Sequence, residues 1–142
     1  MKNIKLIFSL FIAAVLLVSC ETYDDYETEA TVVGFTKQSI NINRVPEGGT
    51  KEEVVSLFAS SISDVDRTFA LIDLPAANNP AARENYSYPA TVVVPAGTRE
   101  IVVTVTAIDV SISPTDRSFF VLAVQGGDDY ISGGQVLFGL RN

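Results

Sequence analysis

The sequence predicts an all-β protein: a single two-sheet antiparallel β-sandwich of seven or eight strands, following a cleaved signal peptide. Three observations carry this. From Thr31 onward, segments rich in Val, Ile, Phe and Thr recur with Gly, Pro, Asn and Asp clusters between them. Several of these segments alternate apolar and polar residues with the period of two that marks a half-buried strand. No window sustains a helical period, and no run of helix formers carries caps.

The chain opens with Lys2 and Lys5, then runs through Leu6–Val18, an apolar stretch interrupted only by Ser9. That stretch is short of the roughly 20 residues that span a bilayer and fits a secretory signal. Its end, Leu17-Val18-Ser19-Cys20, resembles the lipobox of bacterial lipoproteins in every position. The resemblance implies that residues 1–19 are removed and that Cys20 is the lipid attachment site, which would anchor the protein in the membrane. Cys20 is the only cysteine in the chain, and an unpaired thiol is otherwise unusual in an exported protein. The competing reading is an ordinary signal that happens to end in a cysteine.

Residues 20–30 read as a tether. Glu21–Glu29 holds five acids in nine residues and no aliphatic side chain, a composition that stays solvated. An acidic patch directly behind a lipidated cysteine resembles the export signal by which some Gram-negative anaerobes move lipoproteins outward. The expected location is therefore the outer membrane, lipid-anchored and exposed at the cell surface; the alternative is a spacer without sorting content.

The domain proper is read over residues 31–142, with strands at 31–36, 39–44, 52–60, 67–74, 91–95, 99–108, 117–125 and 135–141. In the sixth strand, Ile101, Val103, Val105 and Ala107 fall on one face, and Glu100, Thr104 and Thr106 on the other. Ile40 and Ile42 form a second inward row, Phe120, Leu122 and Val124 a third, and Val136, Phe138 and Leu140 a fourth. Turns fall at Pro46–Gly49, Pro95–Thr98 and Gly126–Asp129, where Pro sets φ and Gly admits positive φ. This many short strands with turns between them point to an immunoglobulin-like sandwich. Pro75–Pro89 is a long connection with no strand pattern, and loops of that length often carry function.

The order of these segments resembles Calx-beta domains over residues 31–141. The matching stretches are Val45-Pro46-Glu47-Gly48-Gly49, Asn85-Tyr86, Ala90 through Thr98, Ile108-Asp109 and Ser118-Phe119-Phe120-Val121-Leu122. The same order is similar to small Calx-beta-like and immunoglobulin-like surface lipoproteins found beside glycan-uptake systems of anaerobic Gram-negative bacteria. The first resemblance implies calcium, with Glu47, Asp109 and Asp116 as the candidate metal ligands. Asn85 stands where the family has an acid, with Glu84 adjacent, and Val110–Thr115 replaces an acidic cluster. Calcium takes six to eight oxygens, so the expected site is weak. No other cofactor is expected.

Composition narrows the function. The chain has no histidine, so schemes built on imidazole are excluded, from Ser-His-Asp catalysis to His-ligated zinc or haem. With Lys2 and Lys5 removed, 8 basic residues face 17 acidic ones, a net charge of −9. Such a chain lacks the cationic stripe that binds nucleic acid. Asp24-Asp25, Asp64 with Asp66, and Asp128-Asp129 fall in the tether or in turns, which do not hold two carboxylates at the fixed spacing of a glycosidase. The expectation is a protein that is not an enzyme: a surface-exposed binding or adhesion module for a glycan or a partner protein. The alternative is a structural cell-envelope subunit that assembles with other proteins. Tyr86, Tyr88 and Tyr130 are the candidate ligand-binding residues, because exposed tyrosine rings stack on sugar faces. For Tyr86 the competing role, which the resemblance favours, is anchoring the long loop in the core.

Overall fold

The computed structural model describes residues 30–142. Cys20, the signal peptide of residues 1–19 and all of the tether except Ala30 lie outside the described residues.

Ten strands follow one another: β1 (Thr31–Phe35), β2 (Ser39–Asn43), β3 (Thr50–Ala59), β4 (Arg67–Pro75), β5 (Tyr86–Ser87), β6 (Thr91–Val94), β7 (Glu100–Ile108), β8 (Ser118–Val124), β9 (Tyr130–Ser132) and β10 (Val136–Arg141). One turn of 3-10 helix, Arg83–Asn85, precedes β5. The strands form two five-stranded sheets, in the orders β5-β7-β3-β1-β9 and β2-β10-β8-β4-β6. Eight of the ten coincide with the sequence-predicted strands to within two residues at either end.

The inward rows follow from the alternation. Val103, Val105 and Ala107 from one sheet face Phe120, Leu122, Val124, Val136, Phe138 and Leu140 from the other, all buried. Each of the Val, Leu and Phe side chains contributes about 1.5–3 kcal/mol on leaving water. Ile101 and Ile40, at the margins of their rows, are half-buried and pack against this core.

Two additions go beyond the predicted antiparallel pattern. The N-terminal segment divides between the sheets, and both of its strands pair in parallel with strands from the C-terminal segment: β1 with β9, and β2 with β10. Beside β9, the backbone of Gly133 and Gly134 extends this pairing. Gly133 N–H donates to the Val33 carbonyl at 2.7 Å, and Phe35 N–H donates to the Gly134 carbonyl at 2.7 Å. A Cβ on Gly34 would lie 2.3 Å from the Gly134 nitrogen, so only glycine admits this approach.

The long connection after β4 is ordered by backbone pairing. Phe119 N–H donates to the Asn79 carbonyl at 2.9 Å and Ala81 N–H to the Phe119 carbonyl at 2.7 Å. The loop thus resumes the place beside β8 that β4 leaves at Pro75, which pairs with Phe120. Residues 76–78 bulge between these two anchor points.

Candidate functional site

Four side chains meet at the end of β4. Asp73 falls in phase with the buried Phe69 and Leu71 and so points inward. Its carboxylate accepts two phenolic hydrogen bonds, from Tyr86 at Oδ2 and Tyr88 at Oδ1, each 2.5 Å. Arg83 lies over both rings, 4.9 Å from the Tyr86 centroid and 5.1 Å from that of Tyr88, with Nε 3.8 Å from Asp73. The Tyr86 ring stacks on Phe120 with centroids 3.7 Å apart, and Phe120 stacks in turn on Phe138 at 5.1 Å.

Tyr86 is therefore 4% exposed, with one ring face on Phe120 and the other beneath Arg83. Its stacking and its bond to Asp73 hold the end of the long loop against the core. Tyr88 is half-buried and keeps part of its surface in solvent. Asp73 went unnoticed in the sequence, although an acid in phase with Phe69 and Leu71 was the available signal.

The electrostatics of this cluster set a pH window. The hydroxyls of Tyr86 and then Tyr88 hold the Asp73 carboxyl below its ordinary range. Burial, then the bond to Asp73, pushes both phenols above theirs. A lowered acid stabilises the fold above its unfolded pKa of about 4 and loses that contribution as pH falls through the folded value. A raised phenol stabilises it below about 10 and loses that contribution as pH rises through the folded value. Urea midpoints are therefore expected to be flat between about pH 5 and 9 and to fall on both sides. Asp73→Asn should make the acid flank shallower; an unchanged flank would show that the cluster does not set it.

The candidate calcium ligands sit at one end of the sandwich. Asp109 accepts three hydrogen bonds: at Oδ2 from Gly48 N–H (2.9 Å) and Asn142 Nδ2 (3.0 Å), and at Oδ1 from Ile112 N–H (3.1 Å). The Gly48 amide is the main cause of its lowered pKa. It staples the turn before β3 to the loop after β7. Asn85, buried, staples the same loop by accepting from Val110 and Ser111 N–H at 3.3 and 3.0 Å. Asp116 accepts from the Thr115 hydroxyl at 3.1 Å, and Glu47 is exposed. Glu47, Asp109 and Asp116 are not brought together: among the described residues, no three acids form one cluster.

Tyr130 stands apart from the other two tyrosines. It packs edge-on against Phe69, centroids 4.8 Å apart, near the start of β4, whereas Tyr86 and Tyr88 bind Asp73 near its end. The three rings do not form one platform. Tyr130 lines a cleft of about 300 Å³ with Thr31, Val65, Arg67 and Asp129.

A larger concavity opens on the outer face of the sheet that contains β8. Leu74, Phe119, Val121 and Leu137 form its floor, and residues 75–78 of the long loop form a wall; its volume is about 480 Å³. The floor follows from the register, which places Leu74, Val121 and Leu137 side by side on β4, β8 and β10. The size and apolar lining suit a ligand site.

No protein-family model matches the chain, and no curated protein matches it. Solved structures do match its fold. A putative carbohydrate binding protein from Bacteroides ovatus superimposes with a TM-score of 0.63 at 11% identity, over 78% of this chain and 36% of that one. A multidomain protein including DUF1735, also from Bacteroides ovatus, gives 0.56 at 13% identity, over 78% and 43%. CBD12 from CALX1.2 gives 0.55 at 9% identity, over 77% and 45%. The chain thus spans less than half the length of each of these structures. None of the three is described as an enzyme, and what they share with this chain is the β-sandwich, Calx-beta-like in the last case.

Proposed function

We propose that this protein is a non-catalytic binding module, lipid-anchored through Cys20 in the outer membrane and exposed at the cell surface. The observation that carries the reading is the apolar groove over Leu74, Phe119, Val121 and Leu137. It offers a partner protein a preformed pocket beside an ordered loop. Tyr130 lies near Ala30, through its pairing with Thr31, while the groove lies toward the far end of β4. Five residues of strand, about 17 Å, separate the two levels, so the groove sits away from the end where Ala30 enters the sandwich.

A glycan is the second reading. The name of the Bacteroides ovatus carbohydrate binding protein supports it, as does the partly exposed ring of Tyr88.

The test is cross-linking on intact cells with a membrane-impermeant reagent. The wild type is expected to form a discrete adduct, lost in Leu137→Asp, where a charge enters the groove, and in Cys20→Ala, where the anchor is gone. An adduct indifferent to Leu137→Asp would remove the groove from the reading. Retardation in a polysaccharide gel that is lost on Tyr88→Ala and kept on Leu137→Asp would establish the glycan reading instead.

A further inference from the structure

The face that holds the groove is unusual in its charge. The described residues carry more acids than bases. Yet no outward-facing strand residue of the sheet β2-β10-β8-β4-β6 is acidic. The cations on this face are Arg117 and Arg141. Arg117 crosses β10 to place Nη2 2.7 Å from Asn43 Oδ1 on β2. Gly139 makes this possible: a Cβ there would meet Arg117 Cδ at 2.6 Å. Arg141 pairs with Asn43 across the same strands, and Lys37 precedes β2 where the Gln38 carbonyl accepts Leu137 N–H at 2.9 Å. The nearby Asp116 is bound to Thr115, and among the described residues the ion pair is Arg83–Asp73. Among the described residues, Arg117 and Arg141 thus stand beside the groove with no carboxylate in ion-pair contact.

The groove itself supplies two polar side chains, Asn78 and Gln135. A sugar hydroxyl buried there loses its water, at about 1–3 kcal/mol for each group left unpaired, whereas an aliphatic or aromatic side chain loses nothing. Arg117 and Arg141 lie two and four residues along their strands from Phe119 and Leu137, or about 7 and 13 Å. An extended polypeptide places side chains at that spacing.

We propose that this face docks an acidic polypeptide segment, an apolar side chain filling the groove while carboxylates a few residues away pair with Arg117 and Arg141. The proposal rests on the reading of the groove as the ligand site and names the partner's chemistry. Arg141, exposed, suits it because a guanidinium holds a carboxylate through two parallel N–H bonds, whereas Arg117, with Nη2 on Asn43 and Nη1 buried, contributes its positive charge.

The probe is the synthetic peptide acetyl-Glu-Asp-Leu-Phe-Leu-Asp-Glu-amide, titrated by fluorescence anisotropy against the full-length protein in detergent. Two control peptides carry Lys for every acid or Ser for every apolar residue. The acidic peptide is expected to bind, with affinity falling as salt rises, and neither control should compete. Arg141→Gln should weaken binding about three- to tenfold without moving the urea midpoint, and Arg117→Gln should weaken it while also lowering the midpoint through loss of the bond to Asn43. Equal binding of the Lys peptide, or full affinity in the double Arg117→Gln, Arg141→Gln variant, would overturn the proposal. If the acidic peptide fails while the cell-surface adduct remains sensitive to Leu137→Asp, the acidic partner is refuted and the groove stands. If both fail, the groove falls too.

Discussion

Tyr86→Ala is expected to lower the unfolding free energy by about 3–5 kcal/mol, the range for truncating a buried aromatic side chain. The ring is stacked on Phe120 at 3.7 Å, and Phe120 is stacked on Phe138, so the cavity would open at the end of a row of three rings in the core. The variant also deprives Asp73 of one of its two hydroxyl donors. Tyr86→Phe separates the two effects. It keeps the stack and removes only the hydrogen bond, for an expected loss of about 1–2 kcal/mol, because a bond to a partly exposed carboxylate is worth less than a buried one. Urea unfolding of both variants measures this directly. A loss from Tyr86→Ala no larger than that from Tyr86→Phe would mean that the ring contributes nothing by packing. A practical corollary concerns ligand assays: loss of binding in Tyr86→Ala would report on folding, so Tyr88 is the tyrosine to mutate when glycan contact is in question.

Gly34→Ala is the second large expected effect, about 3 kcal/mol, at the upper end of overpacking costs. The added Cβ would stand 2.3 Å from the Gly134 nitrogen and 2.8 Å from the Gly133 carbonyl carbon. Both are backbone atoms, so no side-chain rotation relieves the clash. The segment must move, and the bonds from Phe35 to Gly134 and from Gly133 to Val33 stretch with it. A drop in Tm of roughly 10 °C or more corresponds to this loss. Gly126→Ala is the control: its Cβ would meet nothing within 4 Å and its φ is not in the left-handed region, so its effect should stay within about 0.5 kcal/mol. Equal melting of the two variants would show that the β1 contact is slack.

Much of the fold was legible because the core consists of alternating rows. Val103 with Val105, Phe120 with Leu122, and Phe138 with Leu140 each declare a face without reference to any other strand. The short strands β5 and β9 were not legible in this way. Tyr86-Ser87 and Tyr130–Ser132 are too brief to show a period, and each is a strand only because β7 or β1 offers it an open edge. The site was less legible still. The groove joins Leu74, Val121 and Leu137, which are far apart in sequence and become neighbours only through the register of three strands. Tyr86 and Tyr88 were identifiable as a pair, but their common partner Asp73 sits 13 and 15 residues earlier, across the long loop. Asp109, by contrast, was identifiable by position alone, and the structure shows what its carboxylate does: it gathers three hydrogen-bond donors, from Gly48, Ile112 and Asn142.

The pairing of β10 also bears on how the chain acquires its structure. Although the last of the ten strands in chain order, β10 lies between β2 and β8. Until residues 136–141 are available, β2 has no neighbour in its sheet and the inner face of β8 lacks Phe138 and Leu140 beside it. Closure therefore waits for contacts between the two ends of the domain, the high-contact-order regime in which β-sandwiches fold in milliseconds to seconds. A nascent or partly translocated chain is held open by its own topology, and loss of β10 removes an inner strand of a sheet and not its edge.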